Sequence, residues 1–230
     1  TVPFAALKKC VQHPLTDRGL DAFIQELEQD CGWRVPELEF GPGFPISYFA
    51  HDDFDEKEFL AEFSALIKGM SFQGHIMLEL GRSLTASCGT YLTRVVDAKV
   101  NAGQRYAIVD GGMHQLVYFG QSMAMKQPCC HLLGADDENS APADEELWNI
   151  CGSLCTVNDI LAKQLPLSGL EQGSILAFEN AGAYCMTEGI SLFLSRDLPR
   201  VIMVDGHGAP TLVRDGLRTD ILNTPLFPIR

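Results

Sequence analysis

Between residues 82 and 90 the apolar pattern of this chain changes period, and that change limits the folds open to it. Before it, helical and strand spacings alternate. Leu20, Phe23, Ile24 and Leu27 recur at i, i+3, i+4 and i+7, which predicts a helix over Thr16 to Asp30 with Thr16 or Asp17 as its cap. An apolar run follows at Val35 to Phe40, then a second helical face (Phe59, Leu60, Phe63, Leu66, Ile67) over about Asp55 to Met70, then the strand-like Ile76 to Leu80. Helix, strand, helix, strand is the order of an α/β layer or barrel.

After Ser83 only strand-length runs remain: Tyr91 to Val100, Tyr106 to Val109, Gln115 to Phe119, Ile175 to Phe178 and Val201 to Val204. Turn sequences separate them. Asp205-Gly206-His207-Gly208 links the last run to Thr211 to Arg214 as a hairpin. The polar stretch Gly134 to Glu146 is expected to be an exposed loop. The expectation is therefore an α/β piece over 1–85 and an all-β piece over 86–230.

Charge and composition narrow the class of partner. The net charge of -13 at pH 7 repels a polyanion, which disfavours nucleic acid. No run reaches the ~18 apolar residues that a bilayer crossing needs, and the start has neither a basic segment nor a long apolar one, so no secretory signal is read. The eight cysteines form no C-x-x-C pair and cluster with no His at zinc spacing, so no metal is expected; buried thiols in a reducing cytoplasm are.

Four segments bear chemistry. Gly41-Pro42-Gly43-Phe44 directly follows a strand, where glycines either make a turn or let backbone N–H groups approach a phosphate. Glu79-Leu80-Gly81-Arg82 ends an apolar strand with an acid that needs a partner, either Arg82 or a ligand. Cys151 to Asp159 sets the thiol of Cys155 and a carboxylate near Gly152, a reactive pair or inert packing. Ala181-Gly182-Ala183-Tyr184 carries a tyrosine among small residues, to meet a backbone carbonyl or a ligand.

Taken in order with Val109-Asp110-Gly111-Gly112-Met113, these segments resemble the ornithine/diaminopimelate decarboxylases, the barrel-fold pyridoxal-phosphate enzymes, from about residue 35 to about residue 205. The resemblance implies the last strands and helices of a (β/α)8 barrel, then a C-terminal Greek-key β-barrel or sandwich domain. It implies pyridoxal phosphate as cofactor, with Gly41, Gly43, Phe44, Gly81, Arg82 and the Tyr184 hydroxyl around its phosphate. Glu79 would face the pyridine nitrogen. Cys155, from the partner of a homodimer with shared active sites, would protonate the carbon that has lost carbon dioxide. Thr156 and Asp159 would meet the amino-acid substrate.

Departures from the family pattern shape the expected substrate. Pro42 removes one N–H from the phosphate loop. Thr156 stands where diaminopimelate decarboxylases carry Glu, and Tyr118 to Met123 does not match their carboxylate-binding segment. A basic or diamino acid other than diaminopimelate is the expected substrate. No segment before residue 35 resembles the family's cofactor lysine; Lys8 and Lys9 read as solvated charges. Together with a start at Thr1 rather than Met, this makes a fragment of a longer enzyme the expectation, inactive alone. The competing reading is a non-catalytic homologue acting as a binding or regulatory module. A related-fold racemase is opposed by Glu79, because the resembling racemases place Arg there.

Overall fold

Strand β1 (Glu37–Phe40) alternates two acids with two apolar residues, and its apolar members are the less exposed ones. It pairs in parallel with β2 (His75–Leu78), in a register that sets Glu37 against His75 and Phe40 against Leu78. Parallel strands need a crossover between them. It contains α1 (Glu56–Gly69), whose start is fixed by Asp55: its Oδ1 accepts the N–H groups of Lys57 and Glu58 at 2.9 and 3.0 Å. Glu56 and Glu58 in the first turn and Lys68 in the last complement the helix dipole. The computed structural model describes residues 25, 28–30, 32, 34–41, 43–49, 52, 54–69, 72–118, 126–134 and 144–225. The expected helix over Thr16 to Asp30 falls outside these, except that 25 and 28–30 are helical.

Chain contacts divide the described residues into two compact units. One runs to Thr85 without Tyr48–His51; the other holds Tyr48–His51 and everything from Ala86. The first unit ends in the short helix α2 (Arg82–Thr85).

The second unit is built on a six-stranded sheet. Its strands are β3 (Tyr91–Asn101), β4 (Gln104–Val109), β5 (Cys130–Leu132), β6 (Glu145–Cys151), β7 (Ile160–Ser168) and β8 (Ile175–Phe178), in the order β5-β8-β3-β4-β6-β7. Only the β4–β6 pairing is parallel; the others are antiparallel. β3 buries Tyr91, Thr93 and Val95 and exposes Leu92, Arg94 and Val96, the period of two that a one-sided strand requires. Ala102 and Gly103 join β3 to β4, both at positive φ (48° and 75°), the conformation that a two-residue hairpin turn demands. A bulge at Gln164 (φ 51°) breaks the β6–β7 register, and β7 tolerates Pro166 because it lies at the sheet edge. Val109, Ile150, Leu161, Leu176 and Phe178 form the centre of the core, all fully buried.

β9 (Val201–Val204) and β10 (Pro210–Arg214) form the expected hairpin as a separate two-stranded sheet, and α3 (Asp220–Asn223) follows. The Asp205 carboxylate closes the turn by accepting the N–H groups of His207 and Ala209. One expectation is corrected. Gln115 to Tyr118 is no strand: the N–H groups of Gln115 and Leu116 both turn back to the Gly112 carbonyl. The apolar run Leu116-Val117-Tyr118 is nonetheless buried, so its hydrophobicity reports core position and not extended structure. The Gly134 to Glu146 loop lies outside the described residues over 135–143, and its last two residues belong to β6.

Candidate functional site

In the first unit the glycine-rich loop and Glu79 lie at the ends of the two strands. β1 runs into Gly41 and Gly43; Pro42 lies outside the described residues. Gly43 takes φ 58°, which disfavours any side chain there. A Cβ placed on Gly41 would meet nothing within 4 Å, so no packing of this unit explains the glycine. The ring of Phe44 packs edge-on against Phe59 and Phe63 of α1, at 4.9 and 4.7 Å. What Phe44 can offer a ligand is therefore its backbone, while its side chain anchors the loop.

β2 leads to Glu79, whose N–H donates to the Phe40 carbonyl at 2.8 Å and extends the ladder beyond the strand. Glu79 is exposed and lies on the same strand face as Glu37, Glu39 and His75. Gly81 begins the turn into α2: its carbonyl accepts the Leu84 N–H at 3.1 Å and the Thr85 hydroxyl at 3.2 Å. The Oγ of Ser83 is buried and meets no hydrogen-bond partner among the described residues. A buried hydroxyl without a partner is costly unless a ligand supplies one. Gly41, free of packing demands, Gly43, whose positive φ disfavours a side chain, Arg82 and this hydroxyl suit a phosphate, so the residues fit the cofactor implied by the sequence.

In the second unit the Cys151–Asp159 loop is held by its own acid. Asp159 is 2% exposed, and its two carboxylate oxygens accept the N–H groups of Met113 (2.7 Å) and Leu154 (2.8 Å). Burial pushes its pKa up, and the two N–H groups pull it part of the way back. A Cβ on Gly112 or Gly152 would run into this carboxylate, which explains both glycines. With one loop N–H on each oxygen, Asp159 shapes the loop. Ser153 ties the loop to the Asp110–Gly111 turn through its N–H and hydroxyl, and Arg196 donates to that hydroxyl at 2.8 Å. Cys155 emerges exposed, Thr156 half-buried beside it, and Val157 is 89% exposed.

Tyr184 is 46% exposed and sits in a turn whose carbonyl accepts the N–H groups of Thr187 and Glu188. The turn is fastened upstream: Ala181 N–H donates to Gly89 and Gly182 N–H to Ala86, at 2.7 and 3.0 Å. Gly89 lies so close to Gly182 that any side chain at 89 would strike its backbone. Tyr118 is fully buried with its hydroxyl donated to the Glu179 carbonyl; residues 119–123 lie outside the described residues.

The sequence reading missed His114 and Arg196. They line a polar cavity of about 300 Å³ with Asp110, Gln115, Ser195 and Asp197. His114 is 1% exposed, and burial, then the charge of Arg196, brings its pKa down to about 4. A base whose pKa falls on folding binds its proton more readily when unfolded. Its contribution is intact above the unfolded value of 6.5 and is lost as pH falls through about 4. Melting temperatures of the chain should therefore drop across that window, and His114→Gln should flatten the drop; equal slopes would refute the assignment.

Among the described residues no three or more His, Cys, Asp or Glu side chains are grouped to hold a metal, and no helix is long and apolar enough to cross a membrane. None of the six described cysteines is in a disulfide; Cys10 and Cys31 lie outside the described residues.

The strand-terminal acid beside a glycine-bounded loop, and the cysteine loop pinned by a buried aspartate, are the segments that carried the resemblance. The family described as pyridoxal-dependent decarboxylase, C-terminal sheet domain, matches residues 16–182, and the chain belongs to it. Pyridoxal phosphate is the cofactor of this family. The L-glutamyl-[BtrI acyl-carrier protein] decarboxylase of Niallia circulans is 29% identical over 82% of this chain and 46% of its own length. The diaminopimelate decarboxylase of Methanocaldococcus jannaschii is 25% identical over 90% of this chain and 46% of its own. The crystal structure of diaminopimelate decarboxylase from M. jannaschii in complex with L-lysine has the same fold, with a TM-score of 0.70 at 23% identity over 87% of this chain and 44% of that one. The chain spans about half the length of the curated relatives it matches.

Proposed function

We propose that this chain is the C-terminal half of a pyridoxal-phosphate-dependent amino-acid decarboxylase. β1, α1 and β2 are read as the last elements of a (β/α)8 barrel, and the sheet-rich second unit as a C-terminal β-barrel of Greek-key type. The cofactor lysine lies outside these residues, so the chain alone is inactive. The observation that carries the reading is Glu79 at the end of β2, next to a turn with a buried, unpartnered Ser83 hydroxyl.

When bound, the cofactor supplies an electron-withdrawing ring to the carbon that loses carbon dioxide. Glu79 sets a negative charge against the ring nitrogen and so favours its protonated form. The backbones of Gly41, Gly43, Phe44 and Gly81, with Arg82 and the Ser83 hydroxyl, take the phosphate. Cys155 is the acid that returns a proton to the reacting carbon in the partner subunit of a homodimer with shared sites. Asp159 positions the Cys155 loop. Thr156 stands where diaminopimelate decarboxylases carry Glu, so the distal amino-acid group of diaminopimelate would lose that contact, and a basic or diamino acid other than diaminopimelate is the substrate this reading favours. A cytoplasmic site of action fits the described cysteines, none of them in a disulfide.

The test is borohydride reduction of the complete gene product with pyridoxal phosphate, followed by intact mass, and carbon dioxide release from a panel of amino acids. One reduced cofactor per subunit and release from a basic amino acid are expected. A protein that takes no cofactor and releases no carbon dioxide would favour a binding or regulatory homologue instead.

A further inference from the structure

We propose that Arg196 is a positioning residue for Cys155: its guanidinium braces Ser153, two residues before the thiol, and so fixes the Cys155 loop from a distant part of the chain. What the loop is fixed for rests on the decarboxylase reading, but the brace itself is a property of this chain.

Ser153 is the joint of the loop. Its N–H donates to the Gly111 carbonyl at 2.8 Å, and its hydroxyl donates to the Asp110 carbonyl at 3.2 Å. The turn that accepts both bonds is itself fastened to β3, since Asp110 Oδ1 accepts the Thr93 hydroxyl at 2.7 Å and the Arg94 N–H at 2.9 Å. On its other side Ser153 meets a residue 43 positions further along the chain: Arg196 Nη2 donates to its hydroxyl at 2.8 Å. From guanidinium to hydroxyl to carbonyl, each donor polarises the next, and the charged donor makes the first bond a strong one. The joint is therefore clamped between the sheet and the segment that carries Arg196.

That segment is held firmly enough to act as a support. Leu194 and Ser195 take φ 61° and 52°, which side chains resist, so the bend persists only where its surroundings enforce it. Asn223 of α3 donates to the Leu192 carbonyl and the Ser195 hydroxyl, both at 2.9 Å. The buried Thr219 hydroxyl donates to the carbonyl of Arg196 itself at 3.0 Å. Gln115 donates to the Asp197 carbonyl at 2.9 Å, and Leu198 and Leu217 exchange two backbone bonds. The guanidinium thus projects from a backbone pinned on both sides of Arg196.

Hydrogen–deuterium exchange of the complete gene product without cofactor tests the brace. Arg196→Met keeps the length of the side chain and loses its donors. The amides of residues 152–159 are then expected to exchange roughly tenfold faster, the scale of one lost bond to a charged group, with β6 and β7 unchanged. Ser153→Ala should reproduce this, and the double variant should add nothing. If Arg196→Met loosens β6 and β7 as well, Ser153→Ala, which removes only the hydroxyl, decides by the same reading. Loop amides unmoved by these changes overturn the proposal.

Turnover tests the positioning. In the complete enzyme Arg196→Met is expected to lower kcat roughly tenfold, with KM and pyridoxal phosphate binding unchanged, and Arg196→Lys, which still donates, should restore most of it. In a Cys155→Ala background Arg196→Met should cost nothing further, because its effect passes through the thiol. Losses that simply add would show that Arg196 does not act through Cys155. A complete wild-type protein that releases no carbon dioxide would sink the decarboxylase reading and leave the brace to stand or fall on exchange alone.

Discussion

Replacing Glu79 by Gln in the complete enzyme is expected to slow decarboxylation by about two to three orders of magnitude, the usual cost of removing one preorganised charge from the place where charge develops. Gln keeps the shape of Glu and its position at the end of β2. On the proposed reading, what it loses is the negative charge that would hold a proton on the ring nitrogen, and with it the electron demand of the ring. The loss falls on the chemical step, so kcat should drop far more than KM rises. The proposed phosphate contacts of Gly81, Arg82 and Ser83 would not depend on this charge, so the cofactor should still bind. A rate within about threefold of wild type, with cofactor bound, would show that no step draws on the carboxylate. Loss of binding with the rate per bound cofactor unchanged would place Glu79 in the phosphate cradle instead.

The acid of this prediction was legible because it ends an apolar run, where a charge needs a reason. In Glu37-Leu38-Glu39-Phe40 the alternation reads as a solvated strand face, and the parallel register to β2, which sets Glu39 against Met77, was not legible from it. The strands followed the same logic. Ile175–Phe178 and Val201–Val204 are uninterrupted apolar runs and were read to the residue. β7 carries Lys163, Gln164 and Pro166, and only its edge position and its bulge make that sequence a strand. β6 begins inside an acidic stretch that composition assigns to a loop. β5 is three residues long and gives no period to detect. Gln115 to Tyr118 failed in the other direction, because buried turns and buried strands have the same composition. His114 and Arg196 meet in one cavity from distant parts of the chain, and no spacing rule joins them.

Asp159→Ala is expected to be the most destabilising single change in the second unit, at about 2–6 kcal/mol, because two buried N–H groups lose their acceptor and each costs roughly 1–3 kcal/mol unpaired. Domains of this size hold only about 5–15 kcal/mol in total, so a loss at the upper end leaves little folded protein. The N–H groups belong to Met113 and Leu154, one on each side of the joint between the Asp110–Gly112 turn and the Cys155 loop. Losing the carboxylate should therefore free that loop as well as lower stability. Water could enter the space left by the side chain, but it must serve two donors at once beside Gly112 and Gly152, whose lack of side chains made room for the acid. Asp159→Asn separates the charge from the geometry: its single amide oxygen can accept one N–H, while its NH₂ group faces the other donor. Its loss should fall between wild type and Ala. Urea unfolding read at the midpoint with an unchanged slope gives the order directly. If Asn proved as stable as Asp while Ala did not, space filling and not acceptance would be what the loop requires. If Ala itself cost less than about 1 kcal/mol, the two N–H groups would have found water, and the loop would not depend on Asp159 for its shape.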